Sequence, residues 1–158
     1  MDILEFLKAA DAPEAEQKRF LKAQILFWLI AATDGHAKNF SIFLGPQGRF
    51  RLTPLYDVLS AQPSLDARQI ERKQMKLAMS VGQSRHYRIE EIRTRHFVQT
   101  AEAASLPAAM ATDALKEIVE GAPTALKVIE RVLPRNFPKE IYTSITTGLR
   151  KRLHLIEL

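Results

Sequence analysis

The chain has 158 residues, 46% of them hydrophobic and 26% charged, enough to bury a sizeable core, and this length predicts one domain over residues 1–158. Twenty-three Lys and Arg against 18 Asp and Glu give a formal net charge of +5, which suits an anionic partner without requiring one. The sequence contains no cysteine, which excludes disulfides, thiolate metal sites and cysteine nucleophiles, and we expect a reducing, cytoplasmic location.

The first 32 residues predict a helix. Apolar side chains recur at three- and four-residue spacing from Phe20 to Ile30, with charged residues at other positions. Pro13 and the acidic residues that follow it suit a helix start. The longest apolar run, residues 25–32, is eight residues long, whereas a membrane span needs about 18, so we expect no membrane partner.

Residues 33–61 predict a loop and a β-hairpin. Residues 33–39 have no apolar face to bury, which is typical of an exposed loop. Residues 40–44 and 49–53 then alternate across a Gly-Pro-Gln-Gly turn, and a hairpin is the simplest account of that pattern. Residues 54–63 have no regular period and predict irregular backbone.

The rest of the chain predicts a mixed, basic segment over residues 62–88 and a helical bundle over residues 89–158. Residues 75–81 favour a short strand, although residues 73–79 also tolerate a helix. The bundle should have about four helices, separated by proline-containing breaks at residues 105–107, 121–123 and 134–138. The sequence therefore predicts a mostly α fold with a small β-hairpin inserted between an amino-terminal helix and a helical bundle.

Three polar residues, Asp34, Asn39 and Asp57, suit a site for a divalent metal and a phosphate chain. A tight loop lets Asp34 and Asn39 point into one cleft, and the strand returning from the hairpin can bring Asp57 to the same cleft. The Asp57 carboxylate and the Asn39 amide supply the hard oxygen ligands that Mg²⁺ prefers. Asp34 is then free to orient an attacking hydroxyl and accept its proton. The competing explanation is turn capping, because Asp and Asn favour such positions.

The order of these residues is that of eukaryotic-like kinases, in which a base Asp precedes a metal-binding Asn and a second metal-binding Asp follows a hairpin. The D-x-x-x-x-N spacing is weak by itself because it fixes only two residues. The longer runs LIAATDGHAKNFSIF, residues 29–43, and LTPLYDVLSA, residues 52–61, resemble HipA-like kinases, the toxins of bacterial toxin–antitoxin pairs. KLAM at residues 76–79, RHF at 95–97 and NFP at 136–138 resemble the carboxy-terminal region of the same family.

The resemblance implies a protein-kinase-like carboxy-terminal lobe and assigns roles to particular residues. Asp34 is implied to be the catalytic base, and Asn39 and Asp57 are implied to hold Mg²⁺ and, through it, ATP. His36 and Lys38 lie inside the loop, where they contact phosphate or brace the loop. The family implies a serine/threonine kinase that transfers the γ-phosphate of ATP to a protein, with a small DNA-binding antitoxin as partner.

The resemblance also indicates what these residues lack. HipA-like kinases carry, ahead of this region, a lobe with a glycine-rich phosphate loop, a phosphate-pairing Lys and a self-phosphorylated Ser. The six glycines of this sequence form no G-x-G-x-x-G motif. A nucleotide would have one wall of its cleft and no lid, so we expect the chain to be inactive without an amino-terminal kinase lobe as its partner. Three explanations for the absence of this lobe stay open: the chain is an excised fragment, a truncated gene product or half of a split kinase.

The alternative is a non-catalytic basic interaction module that binds an antitoxin or DNA. Residues 68–98 contain eight Lys or Arg and three Glu. The net charge of this segment, +5, equals the net charge of the whole chain. DNA contact would come through this segment or through the antitoxin, whereas an ordinary solvated face is the simpler explanation. The presence of Asp34, Asn39 and Asp57 favours the kinase, because binding alone would not need them.

Overall fold

The computed structural model describes residues 2–157; Met1 and Leu158, which the predicted domain includes, lie outside the described part. The described residues form six α-helices: α1 (Asp2–Phe6), α2 (Pro13–Ile30), α3 (Gln62–Asp66), α4 (Thr94–Ala103), α5 (Ala108–Val132) and α6 (Lys139–Leu153). They also form four strands: β1 (Ile42–Leu44), β2 (Phe50–Leu52), β3 (Lys76–Val81) and β4 (His86–Arg88). None of these helices is long and apolar enough to cross a membrane.

Helix α2 lies at the centre of the core. From Phe20 to Ile30 apolar residues occupy nearly every position, so this half of the helix needs cover on all sides. The helix packs against α4, α5 and α6, and its Trp28 is fully buried. Trp28 donates its Nε1–H to the carbonyl of Ile89 at 3.0 Å, which satisfies the polar atom of the buried indole. The loop that follows α2 is therefore attached to a helix that lies in the core.

The predicted helix over residues 1–32 is interrupted, and in this respect the prediction was wrong. A 3₁₀ turn, Leu7–Ala9, follows α1, and Ala10 is then extended, with φ −70° and ψ 165°. Pro13 begins α2 as its first residue, in agreement with the predicted start signal. The proline ring disfavours helical backbone in the residue before it, and Ala12 accordingly has φ −135° and ψ 78°.

The predicted hairpin is present, and it has a second hairpin as a counterpart. Strands β1 and β2 pair antiparallel, with Ile42 opposite Leu52. Strand β3 confirms the predicted strand at residues 75–81, so the helical alternative was wrong, and β3 pairs antiparallel with β4. Strand β4 was not predicted, because its three residues, His-Tyr-Arg, show no apolar alternation. Gly82 adopts φ 78°, a left-handed conformation that permits the turn after β3.

The carboxy-terminal bundle has three helices among the described residues, where about four were expected. The breaks at residues 105–107 and 134–138 are as predicted, but α5 continues through the predicted break at residues 121–123. Pro123 lies inside the helix and is exposed. Proline has no N–H, so the carbonyl of Val119 lacks its helical hydrogen bond there. The cost in stability is reduced because water can reach this position.

Candidate active site

The loop that carries Asp34 begins with a left-handed residue at the end of α2. Ala31 has φ 55°, and the backbone N–H of Ala32 donates to the carbonyl of Phe27 at 2.8 Å. This reversal turns the chain back against the helix. Gly35 is buried against the Phe27 ring, and a Cβ at Gly35 would lie 2.5 Å from Phe27 Cδ2. The absence of a side chain at Gly35 therefore lets the loop pack directly on the core.

Asn39 ends a 3₁₀ turn, Ala37–Asn39, and is buried. Its Oδ1 accepts the backbone N–H of His36 at 3.2 Å. Its Nδ2–H donates to Asp57 Oδ2 at 3.3 Å, a contact between residues 18 positions apart in the sequence. The structure therefore brings Asn39 and Asp57, two of the residues singled out from the sequence, into direct contact.

The segment that carries Asp57 is held by a backbone hydrogen bond at each end. One end contacts the residue before β1, and the other contacts the residue after α2. The N–H of Thr53 donates to the carbonyl of Ser41 at 2.9 Å, and the N–H of Ala61 donates to the carbonyl of Ala31 at 2.9 Å. Asp57 itself has φ 53°, a left-handed conformation that few residues with a side chain adopt. Such strain is common at functional sites, and here it accompanies the placement of the carboxylate beside Asn39.

Asp34 and Lys38 occupy the solvent side of the loop. Asp34 is exposed, and its Oδ1 lies 3.1 Å from His36 Nε2, so the contact made by its side chain is to the imidazole and not to the Asn39–Asp57 pair. Lys38 is also exposed, and its carbonyl accepts the Tyr56 hydroxyl at 3.4 Å. The five residues predicted for the site thus form two adjacent groups: an exposed Asp34–His36 pair and the Asn39–Asp57 pair, with Lys38 between them in the sequence.

The HipA-like C-terminal domain family matches residues 1–126 of this sequence, a range that includes all of the residues just described. The chain belongs to this family. The resemblance seen in residues 29–61 is thereby confirmed. The structure of the Shewanella oneidensis MR-1 toxin–antitoxin system HipA, HipB and its operator DNA complex contains a similar chain, with a TM-score of 0.76, 22% identity, and coverage of 96% of this chain and 33% of that chain.

This HipA-like domain therefore spans a third of the length of its structural neighbour. At 22% identity the likeness establishes the fold, and it confirms the predicted mostly α architecture, to which the second small antiparallel sheet is an addition. The family match ends within α5, whereas the structural likeness extends over nearly the whole chain. The carboxy-terminal helices thus keep the fold of the neighbour beyond the part that the family match covers.

Two side chains of the HipA-like domain offer oxygen ligands to a cation. Asp57 is exposed, and Asn39 Oδ1 accepts one hydrogen bond and keeps a second lone pair. Among the described residues no three His, Asp or Glu side chains come together to hold a metal. One carboxylate and one amide oxygen fit Mg²⁺, which commonly takes one or two protein oxygens and fills its shell with phosphate and water. Because the Asn39 nitrogen faces Asp57, cation binding at Asp57 Oδ2 would replace the hydrogen bond between them.

Tyr56 was not among the residues predicted for the site, yet it connects the two parts of the site. Its hydroxyl lies 2.8 Å from Ser41 Oγ in addition to its contact with the Lys38 carbonyl. These contacts join the segment that carries Asp57 to the loop that carries Asn39. The position of Tyr56 directly before Asp57 was the available signal, but sequence alone does not tell which backbone atoms a tyrosine will reach.

Proposed function

We propose that this HipA-like domain supplies the base and the metal-binding residues of an ATP-dependent serine/threonine protein kinase. HipA proteins are a kinase family, and this coarser assignment follows from membership. The observation that carries the finer proposal is the contact between Asn39 Nδ2 and Asp57 Oδ2 at 3.3 Å. The contact is made by the amide nitrogen, which is not a metal ligand, but it places the buried Asn39 beside the exposed Asp57 carboxylate. The Asn39 oxygen, which keeps a second lone pair, and that carboxylate suit the two metal-ligand positions of kinase chemistry, with Asp34 five residues before Asn39 as the base.

Each side chain has a distinct role in the proposed transfer. Asp34 would accept a hydrogen bond from the Ser or Thr hydroxyl of the substrate protein and take its proton as the oxygen bonds to the γ-phosphorus of ATP. The bond from that phosphorus to the β–γ bridging oxygen breaks, and ADP leaves. His36 holds the Asp34 carboxylate in place through the 3.1 Å contact. Asn39 and Asp57 would hold Mg²⁺, which would neutralise charge on the phosphates. The exposed Lys38 ammonium is free to contact a phosphate oxygen.

The proposed site is half of a nucleotide cleft. These 158 residues contain no G-x-G-x-x-G motif, so we expect the second wall of the cleft, which would exclude water, to come from another part of a HipA-like protein. We therefore expect phosphotransfer only when a glycine-rich lobe of a HipA-like protein is supplied, in the same chain or as a separate polypeptide. Isothermal titration of this chain with Mg-ATP tests the expectation directly, because submillimolar binding by these residues alone would contradict it.

Substitution of the two acids tests their roles in the assembled kinase. With the glycine-rich lobe added in trans, Asp34→Asn and Asp57→Asn should each lower the phosphotransfer rate at least about a hundredfold. The first removes the general base and the second removes a metal ligand that stabilises charge, and each of these lowers the free energy of the transition state substantially. The exposed Asp113→Asn on α5 is the matched control and should leave the rate unchanged. A complex that forms but transfers no phosphate, even with the unsubstituted domain, would contradict the kinase proposal and favour an interaction module.

The basic segment, residues 68–98, supports a second proposal concerning partners. The structural neighbour is part of a complex with HipB and operator DNA, and we propose an antitoxin and DNA as partners here. Lys73 and Arg88 pair with neighbouring carboxylates. Other cations of the segment are exposed and have no ion-pair partner among the described residues: Arg68, Arg72, Lys76, Arg85 and Arg95.

The salt dependence of DNA binding tests whether residues 68–98 contact DNA phosphates. Fluorescence anisotropy with a labelled duplex should give an affinity that falls steeply between about 50 and 200 mM salt, because phosphate contacts release counterions. The double substitution Arg72→Glu with Lys76→Glu should weaken binding, whereas Lys116→Glu on α5, outside the segment, should change it little. Binding that is unaffected by salt, or equally weakened by both changes, would contradict direct contact through residues 68–98.

A further inference from the structure

Helix α2 has one side that the described residues leave uncovered. Its Leu21, Ile25, Trp28 and Leu29 are fully or almost fully buried in the core. Leu26 and Ile30 are only half-buried, and they line a cavity of about 590 Å³ between α2, α5 and α6. Burial of apolar side chains stabilises a helix in water, so the half-buried Leu26 and Ile30 mark a side of α2 that apolar side chains of another segment can cover.

The opposite wall of this cavity is the carboxy-terminal half of α5. All buried residues of α5 lie near its start, at Ala111, Ala114 and Leu115. Further along, Ile129 lines the cavity and is 43% exposed, so this half of the helix presents an apolar side chain to solvent at the cavity. Large apolar residues of α6 and of the connection before it close the far side. The walls thus include Leu126, Ile129, Phe137, Ile145 and Leu149.

One end of the cavity is positively charged. A second cavity, of about 420 Å³, shares Leu26 and Ile118 with the first and is lined by Lys18, Arg19 and Lys22. Lys18 and Lys22 both pair with the one carboxylate of Glu117, and Arg19 lies 3.9 Å from the carboxylate of Glu16, so these three cations and two carboxylates leave one positive charge over. The two cavities meet at Leu26 and Ile118, and we call them together the α2–α5 groove, which has an apolar length and a basic end.

We infer that the α2–α5 groove receives an amphipathic helix from the part of a HipA-like protein that this chain does not span. Two thirds of the structural neighbour lie outside its match to this chain, so such a protein has ample polypeptide to cover the groove. A volume of about 590 Å³ accommodates the side chains of one helix face, not a whole helix about 10–12 Å wide. The apolar length fits anchors at i, i+3, i+4 and i+7, and the basic end fits an acidic residue of the incoming helix.

The groove also adjoins the candidate active site. Val58, the residue after Asp57, forms part of its wall, and Leu55 lines the basic end. A helix seated in the groove would therefore press against the segment that carries Asp57 and restrict its movement. This inference depends on the fold and the family and not on phosphotransfer, so the two can fail separately.

Peptide binding tests the inference. Overlapping 20-residue peptides from the part of Shewanella oneidensis HipA outside the match are titrated against the 158-residue chain by fluorescence anisotropy. We expect one contiguous set of amphipathic peptides to bind and to gain helical circular dichroism on binding. Ala125→Asp, in the groove wall, should weaken that binding at least about tenfold. Thr124→Asp is the matched control, because it places the same carboxylate on the same helix at the adjacent position outside the wall.

Several results would overturn the inference. They are the absence of any bound peptide, equal binding by scrambled peptides, and equal weakening by Ala125→Asp and Thr124→Asp. A dimer of the chain by light scattering that Ala125→Asp alone dissociates would assign the groove to a second copy and would also overturn it. Circular dichroism melting of both variants establishes that each is folded before its binding is compared.

Discussion

At the residue scale, the candidate site depends on backbone conformations that few side chains tolerate. Asp57 is left-handed, Ala31 is left-handed at the end of α2, and Gly35 approaches the Phe27 ring too closely for any side chain. These positions let a short loop carry Asn39 to the carboxylate of Asp57. The site is therefore determined as much by local backbone geometry as by the identity of its acids.

Gly35→Ala should destabilise the domain. The new Cβ would lie 2.5 Å from Phe27 Cδ2, and moving a packed core ring costs about 1–3 kcal/mol in the free energy of unfolding. Gly121→Ala is the control, because a Cβ there meets nothing within 4 Å and helical Gly→Ala stabilises by about 0.5–1 kcal/mol. Urea unfolding measures both changes. Equal stability of Gly35→Ala and the unsubstituted chain would show that the loop does not rest on Phe27 in solution.

At the element scale, the ends of helices are set by proline in some places and not in others. Pro13 begins α2 and interrupts the amino-terminal helix. Pro123, in contrast, lies inside α5, which continues for nine further residues to Val132. The difference follows from burial and packing: the first half of α5 is held against α2 and α4, and Pro123 itself is exposed. A proline therefore ends a helix only where nothing else keeps the helix together.

Pro123→Ala should stabilise α5. Alanine restores the hydrogen bond to the carbonyl of Val119 and relieves the steric conflict of the ring, which together are worth about 1–3 kcal/mol in a helix interior. Pro107→Ala, at the N-cap of the same helix, should change the free energy of unfolding little, because no helical bond is missing there. Urea unfolding again provides the measurement. A loss of stability in Pro123→Ala would contradict a continuous α5.

At the scale of the whole molecule, two charge arrangements connect distant elements. Lys18 and Lys22 of α2 bond Glu117 of α5, and their hydrogen bonds lower the pKa of Glu117 to about 2. His96 of α4 stacks on His86 of β4, with ring centroids 3.8 Å apart. Burial lowers the pKa of His96, and nearby His86, Arg95 and Arg93 lower it further. Both groups link the stability of the domain to pH.

The free energy of unfolding should decrease in two pH ranges as the solution is acidified. Folded His96 resists protonation, so the unfolded chain binds the extra proton first and stability is lost as the pH falls below about 6.5. The Glu117 carboxylate stabilises the fold above about pH 4.5, and this contribution is lost as the pH falls towards about 2.

Two substitutions separate these ranges. His96→Gln keeps an acceptor for the Arg93 N–H, which His96 Nδ1 accepts at 3.2 Å, and should abolish the dependence near pH 6. Glu117→Gln should abolish the dependence in stronger acid, and added salt should reduce it because the pair is exposed. Thermal melting from pH 3 to 8 measures both. An unchanged profile in His96→Gln would exclude the imidazole as the source of the first range.

The sequence by itself determined which residues were candidates and which family they belong to. The spacing of Asp34, Asn39 and Asp57 inside two long runs pointed to HipA-like kinases, and the family match confirms the family. Period and turn residues also predicted α2, the first hairpin and β3, because local patterns dominate where an element buries one face or alternates across a turn. The catalytic and metal-binding roles stay predictions.

Only the tertiary structure decided which of these residues meet. In the structure Asn39 contacts Asp57, and Asp34 contacts His36. Tyr56 connects the loop to the segment that carries Asp57, and α5 continues through Pro123. The structure also revealed that one side of α2 is left open as a groove. The physical reason is the same in each case: contacts between distant residues depend on how helices pack, and packing energy exceeds the local preferences that a sequence displays.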